Sequence, residues 1–414
     1  MLNEQGQVLL EVLGCRLQSL DGVKPDFMRQ HLNQLLYTIQ WEKRAFNEYN
    51  NITTKHKNWL IFCENRGIGQ KLVEYLRIRG ANCVIVTAGC SYNQVGNQHY
   101  ELTPESPEQF ERLFRELYSH NDEQVSGIVY LWGMLAPPLN GMLQPLHTDQ
   151  ERVSIGALHL IQALATTKQE RSPRLWLVTS DVHAIQLQDR ASGLLQAPLW
   201  GLGRTIVYEH QHLHCTLIDL DAKLSETCLA ALCKEIWSDE AEDEVALHGD
   251  RRYIARLTHY TLPEKQKQRE PLFRSDGTYL ITGDLGGIGL RTAQWIIEQG
   301  AQHLVLIGRR GVLAEAEATL QAMRETGANI CVLKGDVARD EDLEKALVQI
   351  RRTMPPLRGI FHSAVVLDDS TLLQINRERF LSVMPPKVNA AWNLHCLTLD
   401  YPLDYFVKTA LDRI

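Results

Sequence analysis

A strand–glycine–helix turn occurs twice in this chain, intact in the second copy and spoiled in the first. Residues 279–289 read YLITGDLGGIG and residues 59–69 read WLIFCENRGIG. The register persists, because Gly80 faces Gly300 and Ala81 faces Ala301, and both copies then enter an apolar stretch, CVIV or HLVLI. Further on, GIVYLWG at 127–133 faces GIFHSAV at 359–365. A repeat of this kind constrains the chain to an α/β fold of two tandem Rossmann-like subdomains, each a doubly wound parallel sheet. A turn that keeps its glycines can hold a phosphate, and one that has lost them usually cannot. The first subdomain is therefore read as degenerate and structural, and the second as cofactor-binding.

The predicted elements follow the repeat. Residues 1–20 contain one strand, Gln7–Leu13, and read as the tail of a preceding domain. Residues 21–36 form a linker with a short helix from Pro25 to Leu36, and residues 37–262 are the structural subdomain. Within it the pattern predicts strands Tyr37–Trp41, Ser126–Leu131, Arg174–Thr179 and His214–Leu220, a helix Gly69–Arg79 and a hairpin near Glu244–Arg256. The polar stretch Leu262–Arg269 suits an exposed connection.

Residues 263–414 are the cofactor-binding subdomain. Predicted strands are Thr278–Thr282, Leu304–Gly308, Asn329–Lys334, Gly359–Ala364 and Leu403–Val407. Predicted helices are Gly289–Gln299, one within Leu313–Arg324, Asp340–Arg351, and a long one over Arg377–Leu397 bent at Pro385-Pro386. The first copy runs on from Arg174–Thr179 to Arg256, whereas the second ends at Ile414 soon after the matching strand. Two halves of one design should have similar lengths, so the second subdomain is expected to be incomplete in this chain.

Composition sets limits on the function. The chain has 414 residues and a formal charge of −7, which disfavours a nucleic-acid partner. No apolar run approaches a membrane span, and the N-terminus lacks the pattern of a signal peptide. Nine scattered cysteines without a C-x-x-C fit free thiols in the cytoplasm, and none has metal-ligand spacing. His210, His212 and His214 alternate and could share a strand face, but no paired motif accompanies them, so no metal is expected.

The intact turn carries the chemistry. Gly283, Gly286, Gly287, Ile288 and Gly289 follow a strand and open a helix, where bare backbone can approach a pyrophosphate. The next strand ends in Arg309-Arg310, where an acidic residue would select NAD and an arginine suits the 2′-phosphate of NADP. Without that context the pair would read as solvated charge. Asp336-Val337 after the third strand is placed to contact adenine, although an isolated Asp336 could equally cap a helix. In the first copy Cys63, Arg66 and Gly89 stand where Gly283, Gly286 and Arg309 stand, removing the phosphate-binding features. Asp284 puts a carboxylate on the turn that should face phosphates.

These residues together resemble the ketoreductase region of modular polyketide synthases, in the extended short-chain dehydrogenase/reductase group. The resemblance runs from about Tyr37 to Val407 and rests on PRLWLVTS, PLWGLGRTIVYEH, TGDLGGIG, HLVLIGRRG, GDVA, GIFHSAVVLDD and PPKVNAAWNLH. It implies NADPH as cofactor, a β-ketoacyl chain on an acyl carrier protein as substrate, and neighbouring synthase domains as partners. In that family a tyrosine gives the proton, a serine orients the carbonyl, and a lysine and an asparagine complete the relay. Lys387 matches the lysine, Arg309 the 2′-phosphate contact, Ala364 the cofactor-side HAAG stretch, and Asp369 of Leu367-Asp368-Asp369 the substrate-guiding motif of B-type enzymes. Lys387 alone would read as a surface lysine.

The departures are Asp284, Val365 in place of the family's glycine, which is expected to crowd the cofactor, and the sequence after Val407. There Thr409 is the one hydroxyl near the serine position, and no residue stands for the tyrosine. The expectation is a truncated ketoreductase that turns over poorly by itself. The alternatives are a non-catalytic scaffolding module of a synthase and, least favoured, an ordinary NADP-dependent dehydrogenase.

Overall fold

The computed structural model describes residues 35–46, 57–119, 124–136, 146–167, 171–185, 191–238, 240, 242–261, 272–283, 286–312 and 314–408. The strand expected at Gln7–Leu13, most of the helix before Leu36, the connection Leu262–Arg269, Asp284 and Thr409 lie outside them. The chain divides into two compact units, residues 1–42 with 255–269 and residues 43–254 with 270–414. The smaller unit holds most of β1 (Tyr37–Lys43) and the end of a strand that finishes at His259. There the Tyr260 N–H donates to the Leu36 carbonyl at 2.8 Å, and the Tyr37 and His259 rings meet edge to face.

The larger unit carries both copies of the repeat. The first copy contributes β2 (Asn58–Phe62), β3 (Asn82–Ala88), β4 (Asn93–Gly96), β5 (His99–Leu102), β6 (Gly127–Tyr130), β7 (Arg174–Ser180), β8 (Thr216–Leu220), β9 (Glu244–His248) and β10 (Arg251–His259). The second contributes β11 (Thr278–Thr282), β12 (His303–Gly308), β13 (Asn329–Lys334), β14 (Leu357–His362) and β15 (Tyr405–Lys408). The strand orders are β10-β9-β8-β7-β6-β2-β3-β5-β4 and β13-β12-β11-β14-β15. Five strands therefore match one for one, with β5-β3-β2-β6-β7 corresponding to β13-β12-β11-β14-β15. All pairs within these two sets are parallel. The short strand β4, antiparallel to β5, has no counterpart among the described residues of the second copy and was not foreseen from the sequence.

Each copy reverses its chain in the same way after its first helix. The helices Ile68–Ile78 and Gly287–Glu298 are followed by Gly80 at φ 81° and Gly300 at φ 111°. In both, the glycine N–H and the next alanine N–H return to carbonyls of the last turn: Gly80 to Arg77, Ala81 to Leu76, Gly300 to Ile297 and Ala301 to Ile296. A left-handed residue closes the helix only where no Cβ intervenes, which explains why this glycine survives in both copies.

The second sheet is covered on both faces, as a parallel sheet requires. Tyr279, Ile281, Leu304 and Leu306 point to one side, against Ala293 and Ile296 of Gly287–Glu298 and Leu320 of the helix Ala314–Glu325. Leu280, Val305, Ile307 and Ile360 point to the other, against Leu343 and Leu347 of the helix Asp340–Thr353 and Leu394 of the helix Asn389–Leu397. The strict alternation along β11 and β12 sets this register, because a slip of one residue would exchange the two cores. Among the described residues no helix is long and apolar enough to cross a membrane.

Two expectations need correction. The long helix Arg377–Leu397 is two helices, Arg377–Lys387 and Asn389–Leu397, and the break falls at Val388 rather than at the prolines. Pro385 and Pro386 sit in the last turn of the first helix, where neither can donate to the carbonyl four residues back, and the helix ends just after them. Second, the three histidines do not share a strand. His210 ends the helix Ala197–Glu209, His212 lies in a single 3-10 turn, and His214 takes a left-handed conformation at φ 41° before β8 begins.

Candidate functional site

The carboxyl ends of β11, β12, β13 and β14 meet around the glycine turn. Gly283 sits at φ 130°, and its N–H donates to the Ile307 carbonyl at 3.0 Å. A Cβ on Gly283 would stand 2.9 Å from the Ser363 carbonyl carbon and 3.0 Å from the Ala364 nitrogen. Both the angle and the space therefore demand glycine. Gly286 enters the helix Gly287–Glu298 in an extended conformation with no side-chain cap. The first-turn N–H groups thus lack a partner from the cap residue, the arrangement that binds anions. Gly287 and Ile288 are exposed at that entrance and Gly289 is buried.

A cavity of about 190 Å³ opens at the same sheet edge. One wall is Gly283, Gly308, Arg309, Asp336, Val337 and Ala364, and the other includes Val365, Val366, Ser382, Pro385 and Pro386. Complete small-molecule pockets span roughly 300–1,000 Å³, so this cavity has room for part of a dinucleotide, with the remainder lying over the helix entrance. Arg309 is an exposed cation at the rim. Arg310, Asp369, Lys387 and the glycines 286, 287 and 289 are not among the residues that line the cavity. Asp336 is not a helix cap: the helix after it starts at Asp340 with Arg339 in the cap position. Its carboxylate instead accepts the Ala338 N–H at 3.0 Å, which holds the turn that forms the cavity wall.

Lys387 ends its helix and is half-buried. Its surroundings are organised through two adjacent carbonyls. The Lys408 ammonium donates to the Lys387 carbonyl at 3.1 Å. The fully buried His362 ring donates from Nε2 to the Pro386 carbonyl at 2.7 Å. A carbonyl can only accept, so Nε2 carries the proton, and Nδ1 accepts the Thr282 hydroxyl at 2.6 Å. His362 therefore ties the end of β11 to the end of the lysine helix. Burial, reinforced by the positive charges of Lys408 and Lys387, pushes its pKa down to about 4. The opposite end of that helix is fixed by Asn376, whose side chain accepts the Arg379 N–H at 2.9 Å. The Arg379 guanidinium binds the Asp368 carboxylate and holds it below the usual carboxylate range. Sequence reasoning missed His362, Ser382 and the two prolines as parts of the site. The Pro-Pro pair just before Lys387 was the visible signal.

The first copy also has a cavity at the matching sheet edge, of about 320 Å³, lined by Cys63, Glu64, Pro104, Trp132, Arg152 and others. Its chemistry differs throughout. The Cys63 side chain occupies the space beside Gly69, where a Cβ would come within 2.3 Å of it. Burial pushes the Cys63 thiol up to about 12, with the Glu64 charge adding to the shift, so it is an inert packing group. Pro104 faces the cavity where the second copy has Asp336, and Arg152 pairs with Glu105 at 3.3 Å. Among the described residues no group of three or more His, Cys, Asp or Glu could hold a metal ion.

Known proteins agree with this architecture. Residues 277–410 match the family described as KR domain, and residues 106–257 match the family described as polyketide synthase extender module SpnB, Rossmann fold domain. The chain is 34% identical over 252 residues to a component of the phenolphthiocerol/phthiocerol polyketide synthase of Mycobacterium tuberculosis, covering 60% of this chain and 14% of that protein. It is 34% identical over 259 residues to 5-methyl-1-naphthoate synthase of Streptomyces sahachiroi, covering 59% of this chain and 14% of that one. The chain thus spans a small part of these relatives' length. Among solved structures, an A1-type ketoreductase superposes with a TM-score of 0.75 at 27% identity, covering 91% of this chain and 74% of that one. A ketoreductase-containing keto acid-selecting NRPS module superposes with a TM-score of 0.76 at 22% identity, over 89% of this chain and 32% of that one, a likeness of fold.

Proposed function

This chain belongs to the ketoreductase region of modular polyketide synthases, and on that premise we propose that it binds NADPH in its second half to reduce the β-keto group of an acyl chain carried on an acyl carrier protein. The observation that carries the reading is the convergence of Gly283, Arg309, Asp336 and Val337 on one cavity at the carboxyl ends of the β11–β14 strands. The residues suit the cofactor. Gly283, where a Cβ would collide with the Ser363-Ala364 backbone, keeps the turn packed close against the end of β14, and the helix entrance at Gly286–Gly289 supplies the N–H donors for a pyrophosphate. Arg309 and Arg310 suit the 2′-phosphate, while Asp336 and Val337 flank the adenine and Ala364 backs the nicotinamide side. When bound, NADPH supplies the hydride. Lys387, fixed through the carbonyls that His362 and Lys408 hold, belongs to the proton relay. Asp369 guides the substrate, and the Leu367-Asp368-Asp369 stretch supports B-type stereochemistry.

In this reading residues 37–262 are the structural half and 263–414 the cofactor half, and the protein works in the cytoplasm beside other synthase domains.

The test is a fluorescence titration with NADPH and NADH. The reading predicts tighter binding of NADPH, and an Arg309→Glu variant that loses at least about tenfold for NADPH while holding its NADH affinity, since only the 2′-phosphate contact is removed. Equal affinity of the wild type for both cofactors, or for neither, would remove the proposal.

A further inference from the structure

The segment between β14 and the helix Arg377–Lys387 is held from the first half of the chain. Leu372 lies there in a turn, with its side chain 1% exposed. Both of its backbone polar groups are satisfied by first-half side chains. The Glu209 carboxylate accepts the Leu372 N–H at 2.7 Å. The Gln162 amide nitrogen donates to the Leu372 carbonyl at 2.9 Å and to the Ile375 carbonyl at 2.7 Å, which uses both of its hydrogens. Gln162 sits on the helix Leu146–Thr166 and Glu209 ends the helix Ala197–Glu209, so two separate helices grip a single residue.

The gripped turn is tied in turn to the site. The Thr371 carbonyl accepts the N–H groups of Gln374 and Ile375, closing one helical turn. Arg379 draws the preceding residues in, binding the Asp368 carboxylate and, at 3.2 Å, the Asp369 carbonyl. Asn376 then caps the helix that ends at Lys387. An irregular segment without ladder hydrogen bonds opens readily unless something outside it supplies them. Here that supply comes from the copy that has lost its phosphate-binding turn.

We propose that Gln162 and Glu209 are positioning residues: through the Leu372 peptide they fix the Asp368-Asp369 segment in the geometry that receives the β-ketoacyl chain. The degenerate half thereby sets how substrate is presented, without touching the cofactor. What the segment presents rests on the proposed function; the clamp itself does not.

Three variants separate the possibilities. Gln162→Met keeps length and donates nothing, Glu209→Met removes the acceptor, and Glu209→Gln retains one. Hydrogen exchange on the 414-residue chain should be at least about tenfold faster over residues 372–379 in both Met variants, since Glu209→Met removes one hydrogen bond and Gln162→Met removes two. Exchange in β2 and β6 should stay unchanged, and Glu209→Gln should behave as wild type. Binding of the N-acetylcysteamine thioester of 3-oxobutyrate in the presence of NADPH should weaken by at least about fivefold in the Met variants. It should recover in Glu209→Gln, with NADPH affinity constant throughout. Unchanged exchange in both Met variants would overturn the clamp, and thioester and NADPH affinities falling together would overturn the positioning role. A wild-type chain that binds neither compound would overturn the functional reading instead, and the exchange comparison would still decide the clamp.

Discussion

At the scale of the residue, His362 shows how one buried group can connect a sheet to a helix. Its ring is neutral in the folded chain, with a pKa near 4 against an ordinary 6.5, because burial and two nearby lysines disfavour the cation. The unfolded chain takes up a proton as pH falls through 6.5, and the folded chain resists until about 4. The stability contributed by the neutral ring is therefore complete above pH 6.5 and lost on acidification between 6.5 and about 4, on the order of 3 kcal/mol at most. His183, lowered in the same direction mainly by burial, shares that window. We expect His362→Gln to be less stable than wild type at pH 7 and to lose less stability between pH 7 and 4.5. Urea midpoints at the two pH values check this, and parallel losses in both proteins would count against it.

At the scale of the element, much of the second half was legible because its periodicities are unmixed. The strands β11 and β12 alternate between two cores, and the glycine turn fixes the start of its helix within two residues. What stayed hidden depends on contacts rather than on pattern. The prolines at 385 and 386 read locally as a bend in one long helix, yet the first helix runs through both and ends at Lys387, with the break at Val388. The His210–His214 alternation read as a strand face, but the chain there finishes a helix and turns through a left-handed residue. The roles of Gln162 and Glu209 could not be read at all, since their partners lie more than 160 residues away. The lysine helix depends on its cap, because its faces bury no residue completely. Replacing Asn376 by alanine should cost about 1 kcal/mol, seen as faster exchange over residues 377–384 with the β11–β12 pairing untouched.

At the scale of the whole molecule, the two matching sheets put two cavities at equivalent edges, and chemistry rather than shape separates them. One edge offers a bare glycine at φ 130°, an uncapped helix entrance and Arg309. The other offers a buried thiol, Glu64 and an arginine paired with Glu105. The first cavity is the larger, so volume alone would choose the wrong one. Calorimetric titration of the 414-residue chain with NADPH tests this account most directly. The account predicts one molecule bound per chain and loss of binding in Gly283→Ala, whose Cβ has no room beside Ser363 and Ala364. Two molecules per chain, or one that still binds in Gly283→Ala, would contradict it.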